Sequence, residues 1–257
     1  MNKKAKMLLG FDMNTEPLKT ILLDSFNVIK NRTNNIFFAC GNPHSFVVSF
    51  SDKKFDTSLK SADYLVSDGV GIILAGKLLG LSVGPRIAGY DYFTGLHNEL
   101  SKRAVSELGR KGRIFYFGSS QKVLDLISDK MKSEYPELEV CGMLSPPYGE
   151  WSEEDNQKMI DEINLAQADV LWVGMTAPKQ EKWIYENRKK LNVPITGAIG
   201  AVFDFFAGTY IRSPEWVCKI GAEWIYRLIK EPKRMWKRTF VSAPIFIFTV
   251  IRYHVLN

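Results

Sequence analysis

An alternation constrains this chain more than any other feature. Short apolar runs rich in β-branched and aromatic residues recur at 35–39, 64–66, 113–117, 139–143, 170–173 and 195–199. Segments of helical period lie between them, among them 91–108, 121–134, 153–166 and 178–191. Ser152 stands at the start of the third of these as an N-cap, with Asp155 three residues on as an acidic counterpart. Strands that alternate with helices predict an α/β, Rossmann-like fold: a mostly parallel sheet with helices on both faces. Such sheets bind ligands beyond the carboxyl ends of their strands, so residues just after each run are the ones to inspect.

From Ser213 the strand signals stop. Two helices are expected there, over 214–230 and from 232 onward, each opened by a proline. The last 46 residues hold nine Lys/Arg against three acids, and that surplus of six equals the net charge of all 257 residues. The chain therefore divides into a neutral α/β catalytic domain, 1–211, and a basic, aromatic-rich helical appendage, 212–257. Trp216, Trp224, Trp236, Phe240 and the run Ile245-Phe246-Ile247-Phe248 are interleaved with the charges. Basic and greasy together suit an anionic membrane surface; nucleic acid would account for the charge but not for the Ile/Phe run. The uncharged stretch 239–251 is 13 residues long and contains Pro244. About 20 apolar residues are needed to span a bilayer, so this stretch is expected to lie on a membrane or be tucked away. The N-terminal apolar run, Met7 to Phe11, is too short for a signal-peptide core, and Cys40, Cys141 and Cys218 are too few and too far apart for a disulfide framework or a metal clip. Both readings place the body in the cytoplasm.

Four strand ends carry unusual glycine or polar content: Cys40-Gly41-Asn42-Pro43-His44, Ser67-Asp68-Gly69-Val70-Gly71, Gly174 to Glu181, and Gly197 to Asp204. Glycine lets backbone N–H groups approach a ligand, and a following helix N-terminus favours phosphate. Turns between strands and helices need Gly and Asn in any case, so no single segment decides the matter. Gly71 to Lys77 has Walker A spacing, but Leu78 replaces the hydroxyl residue that would hold magnesium. Gly69-Val-Gly71 begins a dinucleotide fingerprint that Leu74 breaks. No Asp-x-Asp pair is present to hold a metal on a sugar-nucleotide diphosphate, and the three histidines are scattered. This favours metal-independent chemistry, in which backbone amides and Arg/Lys neutralise a leaving diphosphate. Asp68 is the carboxylate best placed for a general base, because it follows an apolar strand and precedes a tight turn. It could equally cap the helix that follows. His44 reads as a loop residue, and Glu181 as a complement to the dipole of the helix after Pro178.

Taken with their spacing, these segments resemble the WecG/TagA/CpsF glycosyltransferases, glycosyltransferase family 26. The resemblance rests on Asp68-Gly69-x-Gly71, Arg86-x-x-Gly89-x-Asp91, Pro178-Lys179-Gln180-Glu181-x-Trp183 and Gly200-Ala-x-Phe203-Asp204-x-x-x-Gly208. Its strongest part is the C-terminal series Arg212-x-Pro214-x-Trp216, Gly221-x-Glu223-Trp224-x-Tyr226-Arg227 and Glu231-Pro232-x-Arg234-x-x-x-Arg238. It implies an inverting transferase, free of metal and cofactor, that moves a sugar from UDP to a polyprenyl-diphosphate-linked sugar such as undecaprenyl-diphosphate-GlcNAc. The sugar would be N-acetylmannosamine or another hexose, and the setting the synthesis of a surface polysaccharide or teichoic acid at the cytoplasmic membrane face. Asp68 would be the base. Asn42, Arg86 and Gln180, with Gly69, Gly118 and Gly200, would hold the donor, and Arg212, Arg227 and Arg234 the acceptor diphosphate. The chain departs from the family pattern at Cys40, where a hydroxyl residue is usual, and at Thr176, where glycine is common. The rival readings are a nucleotide-sugar-modifying enzyme linked to NAD(P), and a nucleic-acid-binding protein that uses the basic tail. A homo-oligomer stays open.

Overall fold

The computed structural model describes residues 5–33, 35–214, 216–217 and 221–256. Its centre is a six-stranded sheet, parallel throughout. The strands are β3 (Ile36–Gly41), β4 (Tyr64–Ser67), β5 (Gly112–Gly118), β6 (Leu138–Leu144), β7 (Val170–Gly174) and β8 (Ile195–Ala198), in the order β4-β3-β8-β7-β5-β6. All six correspond to the apolar runs of the sequence. Two-residue periodicity builds a core on each face. Phe38, Tyr64, Tyr116, Val170 and Trp172 enter one core, while Phe37, Leu65, Phe117, Leu171 and Val173 enter the other.

The crossovers are α2 (Pro43–Ser51) with α3 (Lys53–Lys60), α4 (Val70–Leu78) with α5 (Gly89–Leu108), α6 (Gln121–Glu134), α7 (Glu153–Leu165) and α8 (Lys179–Asn187). After β8 comes α9 (Val202–Ala207). Strands β3 and β8 are neighbours, yet the helices that follow them lie on opposite faces. Phe46 of α2 joins one core, and Phe203 and Phe206 of α9 join the other. Where successive helices diverge to opposite faces, a crevice opens beyond the strand ends.

Two N-terminal features escape the sequence reading. The segment from Met7 to Phe11 belongs to a hairpin of β1 (Ala5–Leu8) and β2 (Phe11–Asn14). Its turn residues Leu9 and Gly10 have φ of 50° and 85°, the two positive values that a tight two-residue hairpin needs. The hairpin buries Leu8, Phe11 and Met13 in the core that contains α2. Helix α1 (Leu18–Asn31) follows and packs Ile21, Leu22, Phe26 and Ile29 against the opposite face.

From residue 223 the helical elements are α10 (Glu223–Lys230), α11 (Pro232–Trp236), a π-helical turn Lys237–Ser242, and α12 (Ala243–Leu256), and the helix expected over 214–230 is interrupted at Gly221, whose φ is 76°. Of the helix expected from Pro214, residues 215 and 218–220 lie outside the described residues, and Cys218 with them. The wide turn comes directly before Pro244, whose ring has no N–H for the preceding turn and clashes with an α-helical carbonyl. The helix thus continues past the proline, and Pro232–Leu256 is one run of 25 residues with a mean hydropathy of 1.5 over its most apolar window. By length and composition it could cross a bilayer, which the uncharged stretch alone did not suggest. One side of it is committed to the body: Phe246 and Val250 are buried, with the Phe246 ring 6.1 Å from that of Phe46. The other side is bare, with Phe248 66% and Ile251 49% exposed. Trp216, Trp224 and Trp236 are also exposed, so they are not the core of a terminal helical pair.

Candidate active site

Asp68 sits at the mouth of the crevice. Strand β4 carries it there, and its N–H donates to the Gly41 carbonyl of β3 at 2.8 Å. It does not cap the next helix. Gly69 holds the N-cap place of α4 with φ 96°, a conformation that suits glycine and leaves the Asp68 carboxylate free of that duty. Burial, and then the charge of Glu223, push its pKa up to about 6; Arg86 and Arg227 pull the other way. A carboxyl group poised there is ionised at neutral pH and is a stronger base than an ordinary aspartate.

The polar groups around it are held by backbone. Asn42 caps α2: its Oδ1 accepts from Ser45 N at 3.0 Å, and Ser45 Oγ accepts from Asn42 N at 2.8 Å. His44 belongs to the same helix rather than to a loop, and its Nδ1 lies 2.8 Å from Ser242 Oγ in the π turn. Burial, with Arg238 and Lys237 nearby, lowers its pKa to about 4. Gln180 joins two strand ends: its Oε1 accepts from Gly200 N at 2.9 Å and from Met175 N at 3.3 Å. With Oε1 so used, its Nε2 donates to Glu181 Oε1 at 2.9 Å. Gly118 is also structural. Its φ is 117°, and an added Cβ would lie 2.6 Å from the Gly174 carbonyl oxygen, so β5 and β7 can meet there only without a side chain.

Cations come from the C-terminal segment. Arg212 donates to Asp91 Oδ1 at 2.9 Å with its guanidinium 4.2 Å from the centre of the Tyr90 ring. Glu231 pairs with Arg234 at 3.1 Å and, more loosely, with Arg227 at 3.8 Å. Arg227 Nε and Nη2 are buried without a hydrogen-bond partner. Arg238, half-buried beside Arg227 and Arg234, has its pKa lowered to about 10. Guanidinium groups crowded together in this way call for an anion. Arg86 is engaged elsewhere, donating to Glu223 Oε2 of α10 at 2.6 Å. Among the described residues, no three His, Cys, Asp or Glu side chains are grouped to hold a metal ion.

Two chambers result. A polar one of about 120 Å³ is lined by Asn42, Gln180, Glu181, Gly200, Arg212 and Arg234, among others. An apolar one of about 390 Å³ lies between the body and the tail, lined by Pro43, Val70, Trp224, Met235, Ala243 and Ile247, with Gly69 and Arg86. Both include Asn42, Asp68, Glu223, Arg227 and Arg238. Ligand sites usually offer roughly 300–1,000 Å³, so the polar chamber suits part of a larger ligand and the apolar one lies within the range. Of the residues singled out in sequence, Asn42, Asp68, Gln180, Gly200, Arg212, Arg227 and Arg234 meet in the polar chamber, Gly69 and Arg86 line only the apolar one, and Gly118 lines neither. Cys40 and Thr176 both line the polar chamber. Sequence reasoning quoted Glu223 and Arg238 in the family motif but gave neither a role in the site, and it missed the burial of Glu181. Arg227, Glu231, Arg234 and Arg238 fall at i, i+4, i+7 and i+11, so helical periodicity offered the signal for Arg238.

Beyond the strand ends of this parallel sheet, a carboxylate carried by the edge strand β4 shares a chamber with clustered guanidiniums. Residues 7–257 match the Glycosyl transferase WecG/TagA/CpsF family, and the chain belongs to that glycosyltransferase family. A similar protein of Bacillus subtilis (strain 168) is 31% identical over 211 residues, 82% of this chain and 77% of that protein. Another from Bacillus spizizenii is 28% identical over 217 residues, 84% and 79% of the two chains. A Staphylococcus aureus (strain MW2) relative is 25% identical over 246 residues, 95% and 91%. Each of the three carries the name N-acetylglucosaminyldiphosphoundecaprenol N-acetyl-beta-D-mannosaminyltransferase.

Proposed function

We propose that this glycosyltransferase moves a hexose or N-acetylhexosamine from a UDP-sugar to a polyprenyl-diphosphate-linked sugar such as GlcNAc, inverting the anomeric centre without a metal ion. The observation that carries this reading is the raised-pKa Asp68 where a polar, arginine-lined chamber and an apolar chamber share their walls. Asp68 takes the proton of the acceptor hydroxyl. The oxygen attacks the anomeric carbon from the face opposite the leaving group, and the bond to the phosphate oxygen breaks with its electrons leaving on UDP. Arg212, Arg234 and Arg238 neutralise the departing diphosphate, the work a metal ion would otherwise do. In sequence, Arg212 and Arg234 pointed to the acceptor; their shared chamber with Gln180 and Gly200 favours the donor diphosphate instead. The acceptor then enters through the apolar chamber, with Arg227 toward its diphosphate and with Arg86, which the resemblance gives to the donor, in the same chamber.

The names of the relatives support a lipid-linked GlcNAc acceptor and a role in cell-surface polymer synthesis. The bare apolar side of α12 and the basic residues of α11 support peripheral docking on the cytoplasmic face of an anionic membrane. Each basic residue near such a surface contributes about 1 kcal/mol. The test is incubation with a panel of UDP-sugars and a short-chain polyprenyl-diphosphate-GlcNAc in excess EDTA. A product heavier by one sugar, with inverted anomeric configuration, is expected. Absence of product from every donor, or activity that returns only with added divalent metal, would overturn the reading.

A further inference from the structure

Asp68 is not the only carboxylate in the polar chamber. Glu181, at the first turn of α8, is 4% exposed and lines it as well. One of its oxygens is occupied, since Oε1 accepts from Gln180 Nε2 at 2.9 Å. Gln180 cannot turn away from this bond, because its own Oε1 is held by the Gly200 and Met175 amides. The second oxygen, Oε2, is sealed from solvent and has no hydrogen-bond partner. Burial pushes the carboxyl up to about pKa 6, against the pull of the Gln180 bond, its own helix amide and Arg238. A buried acceptor left unmet destabilises the protein, so a ligand that brings a donor recovers that loss. Helix-dipole complementation, the sequence reading, needs no burial and does not explain the orphaned oxygen.

We propose that Glu181 Oε2 accepts a hydrogen bond from a hydroxyl or amide N–H of the transferred sugar, and so selects among donors. The assignment rests on the UDP-sugar reading above. Two observations direct it to the sugar rather than to the rest of the donor. A carboxylate repels a diphosphate, and the guanidiniums of the chamber already suit that group, which leaves a neutral hydroxylated portion for Glu181. In addition, Cys40, Asp68 and Glu181 line the same chamber, and both carboxylates are near enough to the Cys40 thiol to raise its pKa beyond the effect of burial, so the two share the end of β3. A group that shares a chamber with the base lies beside the reacting sugar. Thr176, on the same wall, is part of this selective surface.

Glu181→Gln is the discriminating variant, because it keeps an oxygen for Gln180 and converts the orphan acceptor into a donor. For the preferred UDP-sugar, kcat/KM is expected to fall about 10–100-fold, mostly through KM. Affinity for UDP alone, measured by calorimetry, stays within about twofold. Monodeoxy and deacetamido donors complete the cycle: the analogue that lacks the contacted group is used equally by wild type and variant, while the others keep the full loss. Glu181→Asp, which withdraws the carboxylate by one methylene, gives the same pattern if the Gln variant folds poorly. An equal loss of UDP affinity, or a loss unchanged with every analogue, overturns the assignment. Wild type that neither binds UDP nor uses any UDP-sugar would sink the reading beneath it instead, so the two failures are distinct.

Discussion

The rim of the sheet and the C-terminal helices face each other across the same chamber and are built in opposite ways. On the rim, two polar side chains are fixed by backbone: Asn42 by the cap of α2, Gln180 by two strand-end amides. In the tail the charged groups outrun their partners. Glu231 serves both Arg227 and Arg234, and buried nitrogens of Arg227 remain unmet. The rim is organised before any ligand arrives, whereas the tail holds charge in reserve for one. In a reaction that expels a diphosphate, the first property suits orientation of the reacting atoms and the second suits stabilisation of the leaving group.

The largest expected effect lies on the rim. Asp68→Asn should lower turnover about 10²–10⁴-fold while UDP affinity stays within a few-fold, read by steady-state kinetics and calorimetry on the folded variant. Near-normal turnover would strip Asp68 of the role of base. Next comes the rigidity of the rim. Gly118→Ala places a methyl 2.6 Å from the Gly174 carbonyl oxygen at a φ of 117°, and should cost about 1–3 kcal/mol of stability in a denaturant titration. An unchanged midpoint would mean that the strand ends give way more readily than their packing indicates. On the tail, Phe248→Glu with Ile251→Glu alters only exposed positions. Sedimentation with anionic vesicles should fall several-fold while the melting temperature holds. Unchanged sedimentation would separate the apolar side of α12 from the membrane.

The smallest effect is a shift in pH dependence. A base must be ionised, so kcat/KM should rise with pH through about 6 and then level off. Glu223 is the charge that most raises the pKa of Asp68, so Glu223→Gln should move this acidic limb to lower pH. The change also frees Arg86, which acts in the same direction. A limb that moves upward would contradict the repulsion between Glu223 and Asp68 as a source of the raised pKa.

What could be read from sequence follows the same division. Five of the six strands were legible because a strand buried on both faces must be apolar at nearly every position, and Trp172 or Phe37 can hardly sit elsewhere; β6, at the sheet edge, is only partly buried along its length. The hairpin was not, because its turn places Leu9 at positive φ where Asn or Gly would have marked it. Asp68 could be chosen from its place after a strand, but only the structure removes the cap reading, since that depends on which residue takes the N-cap place. Glu181 stayed hidden, for one carboxylate in a helical first turn looks like another until its burial is known. The arginines were visible as charge; their convergence on the rim depends on α10, α11 and the π turn folding back over it.

The central claim is the division itself, with the rim supplying the base and the tail the cations. Titration of UDP into the wild type, Asp68→Asn and the double variant Arg234→Gln with Arg238→Gln tests it most directly. A divided site predicts near-equal UDP affinity for wild type and Asp68→Asn, and a loss of at least about tenfold for the arginine pair. If the arginine pair binds UDP as tightly as wild type, or Asp68→Asn loses as much as the pair, the site is not divided in this way.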